Sequence, residues 1–441
     1  MDLTNADTLV IGLKRSGQAA AELLQSKGAR VRMMDQEEPG PDERAFLASH
    51  DLTFLKQSID NLGEPEVIVV SPAVPCDAPI LAEARLRGVP VIGEVELASF
   101  YLKGPVIGIT GSNGKTTTTA LTGHILRQGG VECLVGGNIG TAVTSLVAAS
   151  AENRWNVLEL SSFQLETIYR FRATVAACLN VTPDHLDRHH NFAAYANAKA
   201  RLFETQVLGD TAVLNYEDET CREFARRTKA EVFWFSSRQS VPCGVSLARQ
   251  ELVLNGKPFM RRGQIRLRGV HNLENVMAAA MMARLAGVPL NAIGAAVNSF
   301  PGVEHRLEFV RSFNSVEYYN DSKATNVDAT LKAIDAFPGH LWIILGGKDK
   351  GSDYRPLRDP LRDKAKGVLL IGAAAGRIEE DLKGAVPLIP AGNLSSAIEY
   401  SREHAEPGDI VLLAPACASF DQFQNFEHRG SVFKQLVQEL F

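Results

Sequence analysis

The 441-residue chain reads as a three-domain α/β protein, and three observations carry that reading. Short apolar runs of strand type alternate with helically spaced segments along most of its length, which implies parallel sheets covered on both faces. Nearly every cluster of Gly, Asn, Asp, Ser and Lys directly follows one of those runs, where the carboxyl ends of strands in such sheets gather ligands. The length is sufficient for several domains, each burying its own core.

The first domain, 1–95, opens with the strand "TLVIG", the helix "SGQAAAELLQSKG" stopped by Gly28, and the strand "ARVRMMD" ending on Asp35. A buried-type strand, "EVIVVSPAVP", then runs into a Pro-punctuated loop. The second domain, 96–302, begins with the strand Val106–Thr110, a glycine loop and the helix "KTTTTALTGHILRQGG". Strands "WNVLEL" and "VAACLNV" follow, then an Asn-Gly hairpin in "ELVLNGKPF" and the helix "HNLENVMAAAMMARLAG". The third domain, 303–441, carries the strands "VEYYND", "LWIILGG", "GVLLIG" and "DIVLLAPA". The two outer domains are expected to be doubly wound and Rossmann-like, and the central one a mononucleotide-binding α/β domain with a phosphate loop.

Composition narrows the function classes. A net charge of −5 argues against general nucleic-acid binding. The six cysteines (76, 133, 178, 221, 243 and 417) form no C-x-x-C pair, which argues against a zinc ribbon or a disulfide framework. No window reaches the roughly 18 apolar residues of a membrane span, and the start "MDLTNADTLVIGL" lacks a basic leader. Composition thus leads to the expectation of a soluble, cytoplasmic protein with neither a nucleic-acid nor a membrane partner; the chain is further expected to be a monomer with small-molecule partners.

The loop "GITGSNGKTTTT" has glycines, lysine and threonine between a strand and a helix, but only Ser112 and Asn113 separate Gly111 from Gly114. The common triphosphate loop is longer. Strand before and helix after still favour phosphate binding over a plain turn, with Lys115 against the phosphates and Thr116 or Thr117 reaching Mg²⁺. Glu159, at the end of "LELSSFQLE", reads as a Mg²⁺ ligand or a helix cap. His185 in "NVTPDHLDRHH" reads as a ligand or as a loop histidine bonded to its neighbours. Lys199, taken alone, is a solvated helix lysine. Asn272 and Asn275 read a base or cap a helix, and Arg306 reaches phosphates or pairs with an acid. "YNDSKATN", "GGKDKGSDY" and "APACASFDQFQNFEHRG" together read as a site for a small polar anion. "GLKRSG" half matches a dinucleotide loop, with Lys14 where a glycine is expected.

In this order the motifs resemble the Mur ligase family, in its D-glutamate-adding branch, from about residue 8 to the end. "NDSKATN" and "ACASFDQFQNFEHRG" favour that branch. The resemblance implies an ATP-dependent ligase of peptidoglycan precursor synthesis, acting on UDP-N-acetylmuramoyl-L-alanine and D-glutamate with Mg²⁺. It implies uridine diphosphate contacts from Arg15, Ser16, Asp35, Ser71 and Asn138. It further implies ATP contacts from Gly111, Ser112, Asn113, Gly114, Lys115, Thr116, Thr117, Asn275, Arg306 and Asp321. Metal ligation would fall to Thr116, Glu159 and His185, and D-glutamate binding to Thr325, Lys350, Ser419, Phe420 and Phe426. Lys115, His185, Lys199 and Lys323 would serve the reaction, and the resemblance implies that Lys199 is carbamylated, which turns a cation into a carboxylate-like group.

Overall fold

The computed structural model describes residues 2–440 apart from 266, 268 and 350, and of Asp187 the backbone alone. It divides into two compact units, one of residues 1–265 with 274–300, the other of 266–273 with 301–441.

The first unit holds two sheets. Its five-stranded parallel sheet has the order β3-β2-β1-β4-β5, built from β1 Asp7–Ile11, β2 Arg30–Asp35, β3 Thr53–Lys56, β4 Val67–Val70 and β5 Val91–Gly93. The order reverses between β1 and β4, so the ligand crevice of this sheet opens where Gly12 faces Ser71. A Cβ on Gly12, whose φ is +112°, would lie 2.4 Å from the Ser71 hydroxyl, and one on Gly17 would lie 1.8 Å from the Gly12 carbonyl oxygen. Both glycines therefore permit close approach of the helix Arg15–Ser26 to the sheet. Lys14 between them is exposed and pairs with Glu43.

The second sheet has nine strands in the order β14-β13-β12-β11-β10-β9-β6-β8-β7. They are β6 Val106–Thr110, β7 Cys133–Gly137, β8 Trp155–Glu159, β9 Val175–Cys178, β10 Thr211–Asn215, β11 Glu231–Ser236, β12 Gly244–Ala248, β13 Glu251–Leu254 and β14 Lys257–Arg261. β13 and β14 form the expected hairpin, and Asn255 and Gly256 both have positive φ, as a primed turn requires. The sequence reading contains no β10, β11 or β12. These are short runs between charged segments, and partner strands rather than local pattern define them.

Two buried acids fasten the sheets together. Both lie on the helix Glu94–Ser99, which follows β5 directly. Glu94 accepts hydrogen bonds from the Thr144 N–H at 2.6 Å and its hydroxyl at 2.8 Å. Glu96 accepts from the N–H groups of Tyr169, Arg170 and Phe171 at 2.8, 2.8 and 3.0 Å. One carboxylate thus satisfies three consecutive amides of a turn beyond β8.

The second unit has a six-stranded sheet in the order β15-β16-β20-β17-β18-β19. Its strands are β15 Glu308–Phe313, β16 Val316–Asn320, β17 Leu341–Gly346, β18 Ala365–Ile371, β19 Leu388–Gly392 and β20 Ile410–Leu413. All pair in parallel except β15, which runs antiparallel along β16. The four central strands are those read from sequence. β15 and β19 are half-exposed edges, and neither carries a buried apolar run. Among the described residues, no helix is long and apolar enough to cross a membrane.

Replacing Glu96 by alanine would leave three backbone N–H groups without an acceptor, at about 1–3 kcal/mol for each one buried. We expect a clearly lowered unfolding midpoint for Glu96→Ala, with Glu96→Gln milder because one oxygen remains. An unchanged midpoint for Glu96→Ala would remove the fastening role.

Candidate functional site

The shortened loop between β6 and the helix Lys115–Gln128 is braced from outside. Asn180, just past β9, accepts from the Asn113 N–H through its side-chain oxygen at 2.9 Å and donates to the Asn113 carbonyl at 3.1 Å. Its backbone carbonyl takes the Ser112 N–H at 2.9 Å. Ser112 Oγ lies 2.9 Å from the Thr182 carbonyl and 2.9 Å from the Tyr195 hydroxyl. These two loop amides therefore face protein, where the sequence reading has them facing phosphate. Gly114 takes a left-handed conformation at the helix N-cap, where no side chain caps the helix. A Cβ there would meet Asn275 Oδ1 at 2.3 Å, so the Asn275 amide lies against the loop itself. Thr116 and Thr117 are buried on the first turn.

Lys199 departs furthest from its isolated reading, because it is buried rather than solvated. Its side chain is 1% exposed, and Nζ donates to the Gly111 carbonyl at 2.9 Å and lies 4.6 Å from the centroid of Tyr195. Lys115 Nζ donates to the same Gly111 carbonyl at 2.8 Å and to that of Ser112 at 3.0 Å. Burial first, and then the Lys115 charge, push the Lys199 pKa down to about 7. The amine is consequently half neutral near physiological pH.

Glu159 lies on β8 beside this loop and is 1% exposed. Its Oε1 accepts from Asn138 Nδ2 at 2.8 Å, while Oε2 is buried without a partner. An orphaned carboxylate oxygen next to a phosphate loop suits a hard divalent cation. Among the described residues, no group of three or more His, Cys, Asp or Glu could hold a metal. The fit is therefore to Mg²⁺ that keeps water and phosphate oxygens, and not to an all-protein cage. Unmodified, Lys199 offers no ligand. His185 is exposed in a left-handed conformation, 3.6 Å from Asp184 and edge-on to Phe163 at 4.9 Å.

Of the residues expected at the uridine diphosphate, Arg15 and Asn138 join the same network. Arg15 Nη2 donates to the Asn138 carbonyl at 3.4 Å, and the Asn138 amide in turn binds Glu159. Ser71 is buried and its hydroxyl has no partner. Ser16 is half-buried beside Arg15, on the first turn of their helix. Asp35 ends β2 and accepts the Leu13 N–H at 2.8 Å and the Glu37 N–H at 3.1 Å, so its carboxylate shapes the loop.

In the second unit, Asp321, Lys323 and Thr325 follow β16, and Ser419 and Phe420 follow β20. Lys323 Nζ sits 5.3 Å from the ring centroid of Phe426. Ser419 is buried, Thr325 is half-buried and Phe420 is 65% exposed. Arg306 Nε is buried without a partner. Lys350 lies outside the described residues.

Arg429, unassigned by the sequence reading, joins these loops. It is 1% exposed and donates to the Ser322 hydroxyl at 2.9 Å, the Ser322 carbonyl at 2.8 Å and the Cys417 carbonyl at 3.2 Å. Asn180 and Tyr195 were missed likewise. All three stand inside or beside the quoted motifs, and only their partners reveal them.

Burial raises the Asp321 pKa to about 6, opposed by Arg306 and the Leu307 N–H. Between its unfolded value near 3.8 and that raised value, the folded state keeps a proton that the unfolded state has lost. Stability from this group is therefore present at low pH and lost as pH rises toward 6. We expect the stability of Asp321→Asn relative to the unsubstituted protein to improve, on the order of 3 kcal/mol, between pH 4 and 7. Denaturant titrations at both pH values check this, and a pH-independent difference would contradict it.

Residues 6–93 match the Mur ligase MurD-like N-terminal domain, 109–283 the Mur ligase middle domain, and 305–417 the Mur ligase glutamate ligase domain. The chain is 58% identical over 440 residues to a UDP-N-acetylmuramoylalanine–D-glutamate ligase of Solibacter usitatus, covering 100% of this chain and 99% of the relative. It is 48% identical over 448 residues to the protein of that name from Koribacter versatilis, again covering 100% and 99%. Its fold is similar to that of the UDP-N-acetylmuramate-alanine ligase MurC of Thermotoga maritima (TM-score 0.63, 20% identity, 98% and 99% of the two chains covered). It is also similar to the MurF ligase of Thermotoga maritima in complex with ADP (TM-score 0.62, 16% identity, 99% and 96% covered). Matched by all three domain models and by relatives of full length, the chain belongs to the Mur ligase family.

Proposed function

We propose that this chain is an ATP-dependent ligase that adds D-glutamate to UDP-N-acetylmuramoyl-L-alanine, releasing ADP and phosphate, in the cytoplasmic assembly of the peptidoglycan precursor. The observation that supports the chemistry is the shared Gly111 carbonyl, to which Lys115 and a second, partly neutral lysine, Lys199, both donate. The full-length similarity to D-glutamate ligases supports the choice of substrates.

A carboxylate resists attack by an amine because oxide is a poor leaving group. Transfer of the γ-phosphoryl group of ATP to the muramoyl-alanine carboxylate gives an acyl phosphate and ADP. The D-glutamate amine then adds to the acyl carbon, the tetrahedral adduct loses phosphate, and an amide remains. Lys115 would swing from its loop carbonyls onto the transferring phosphoryl group, where its charge counts most. Thr116, Glu159 and His185 would hold Mg²⁺, which would neutralise developing phosphate charge. Arg15, Ser16, Asp35, Ser71 and Asn138 would hold the uridine diphosphate end, and Asn275, Arg306 and Asp321 the nucleoside and phosphates of ATP. Thr325, Ser419, Phe420 and Phe426 would hold D-glutamate, together with Lys350, and Lys323 would support the reacting groups. Lys199 would take up CO₂ through its neutral amine, losing a proton to give a carbamate anion that helps to place Mg²⁺.

Phosphate release with ATP, Mg²⁺ and UDP-N-acetylmuramoyl-L-alanine should depend on D-glutamate and fail with L-glutamate or L-lysine. Preferred turnover of either alternative would overturn the substrate assignment. Lys115→Ala should abolish release while leaving binding of the sugar nucleotide within a few-fold, as calorimetry would report. With ¹³C-bicarbonate at pH 8, a carbamate carbon signal should appear, vanish in Lys199→Ala, and fade as pH falls through about 7, where the amine takes up its proton. An unmodified Lys199 at pH 8 would remove the carbamate.

A further inference from the structure

His185 occupies a position that its own segment cannot maintain. It has φ of +52°, a left-handed conformation that costs a non-glycine residue about 1–2 kcal/mol. It precedes the one-turn helix Leu186–His189, too short to be stable alone. The far end of that turn supplies what is missing. His189 is 4% exposed, with Nε2 3.0 Å from the Ser162 hydroxyl and Nδ1 3.1 Å from Glu166 Oε1. Arg188 Nη2 lies 3.3 Å from Glu166 Oε2, and its guanidinium covers the Phe163 ring at 4.8 Å. Phe163 meets His185 edge-on and stacks with His189 at 5.4 Å.

The same guanidinium reaches into the first sheet. Arg188 Nη1 donates to the Ala73 carbonyl at 3.1 Å, and Nη2 to the Val74 carbonyl at 2.8 Å. Those carbonyls belong to the loop directly after Ser71. The Cys76 thiol of that loop donates to Glu166 Oε2 at 3.2 Å, and Asp77 lies 3.3 Å from His190. Three of these ties bind the loop after β4 directly to the segment that carries His185, and the fourth reaches it through Glu166. Arg188 makes two of them, and its side chain is only 14% exposed.

We infer that Arg188 is a positioning residue for the ligase: braced by Glu166, it locks the turn carrying His185 to the loop that follows Ser71. Seating the uridine diphosphate end of the substrate then fixes His185 near the reacting end, through one fork of hydrogen bonds. This rests on the proposed ligase function. A lysine cannot replace the fork, because one ammonium cannot reach two carbonyls and a carboxylate in a plane.

The test is a double-mutant cycle on the full-length enzyme with Arg188→Ala, His185→Ala and both, reading kcat and each KM. Arg188→Ala should lower kcat about 10–100-fold, the usual scale for groups that orient a metal-site residue. It should also raise KM for the sugar nucleotide and leave KM for ATP within about twofold, and Arg188→Lys should behave like the alanine variant. In the His185→Ala background the further loss should be less than about twofold, since the effect passes through His185. Equal losses in both backgrounds, an unchanged kcat, or a matching rise in KM for ATP would each overturn the inference. Should Arg188→Ala fail to fold, Glu166→Gln is read against the same outcomes. Wild-type enzyme that does not turn over D-glutamate would sink the functional reading, whereas normal wild-type turnover with an additive cycle would sink only the role of Arg188.

Discussion

Two amines donating to one carbonyl oxygen organise the central site. The Gly111 carbonyl accepts from both Lys115 and Lys199, and two full positive charges at that separation repel strongly where water is excluded. Burial first, and then the Lys115 charge, bring the Lys199 pKa down to about 7, so its amine is partly neutral at physiological pH. The loop thus joins two lysines of different character on one acceptor. That arrangement needs Gly111 at φ of +150°, Asn180 bracing the two residues between the glycines, and Tyr195 closing over Lys199. The short spacing and the asparagine past β9 are two sides of one construction.

The negative counterpart is Glu159, and its environment is equally one-sided. Asn138 satisfies one oxygen and nothing satisfies the other. Because the Asn138 carbonyl also receives Arg15, a contact expected to serve the sugar nucleotide touches the group expected to hold Mg²⁺. The two sheets of the first unit therefore share a polar chain from Arg15 to Glu159. The buried acids of the helix Glu94–Ser99 keep its ends in register. Joining the sheets through carboxylate-to-amide bonds, which are directional, sets distance as well as stability.

Legibility in the sequence followed this division. The α/β class and the four central strands of the last sheet were readable because buried parallel strands are continuous apolar runs. So were the Asn-Gly hairpin and the loop Gly111–Lys115. Edge strands β15 and β19 were not, since half-exposed edges lack such runs. Among the candidate site residues, Lys115 was readable from the glycine loop after a strand and Glu159 from its place at a strand's end. Lys199 was not, because its helix "YANAKARLF" gives no local sign that this amine is buried against the Gly111 carbonyl. Arg188 and Arg429 were invisible for a related reason. Each is defined by carbonyls far along the chain, and a carbonyl has no letter in a sequence.

Arg429 shows how the second unit meets the same problem with the opposite sign. Burial lowers its pKa to about 10, which leaves the guanidinium charged at neutral pH. Among the described residues it has no carboxylate partner, and it uses the Ser322 hydroxyl and the carbonyls of Ser322 and Cys417 instead. Neutral acceptors satisfy its hydrogen bonds without cancelling its charge. The loops after β16 and β20 are therefore stitched together by a guanidinium hydrogen-bonded to neutral acceptors, with the Asp421 carboxylate near enough to favour its charged form. Under the proposed function the ligand of these loops is a dicarboxylate, and a cation that spends its hydrogen bonds on carbonyls and a hydroxyl fixes the loop geometry around such a ligand.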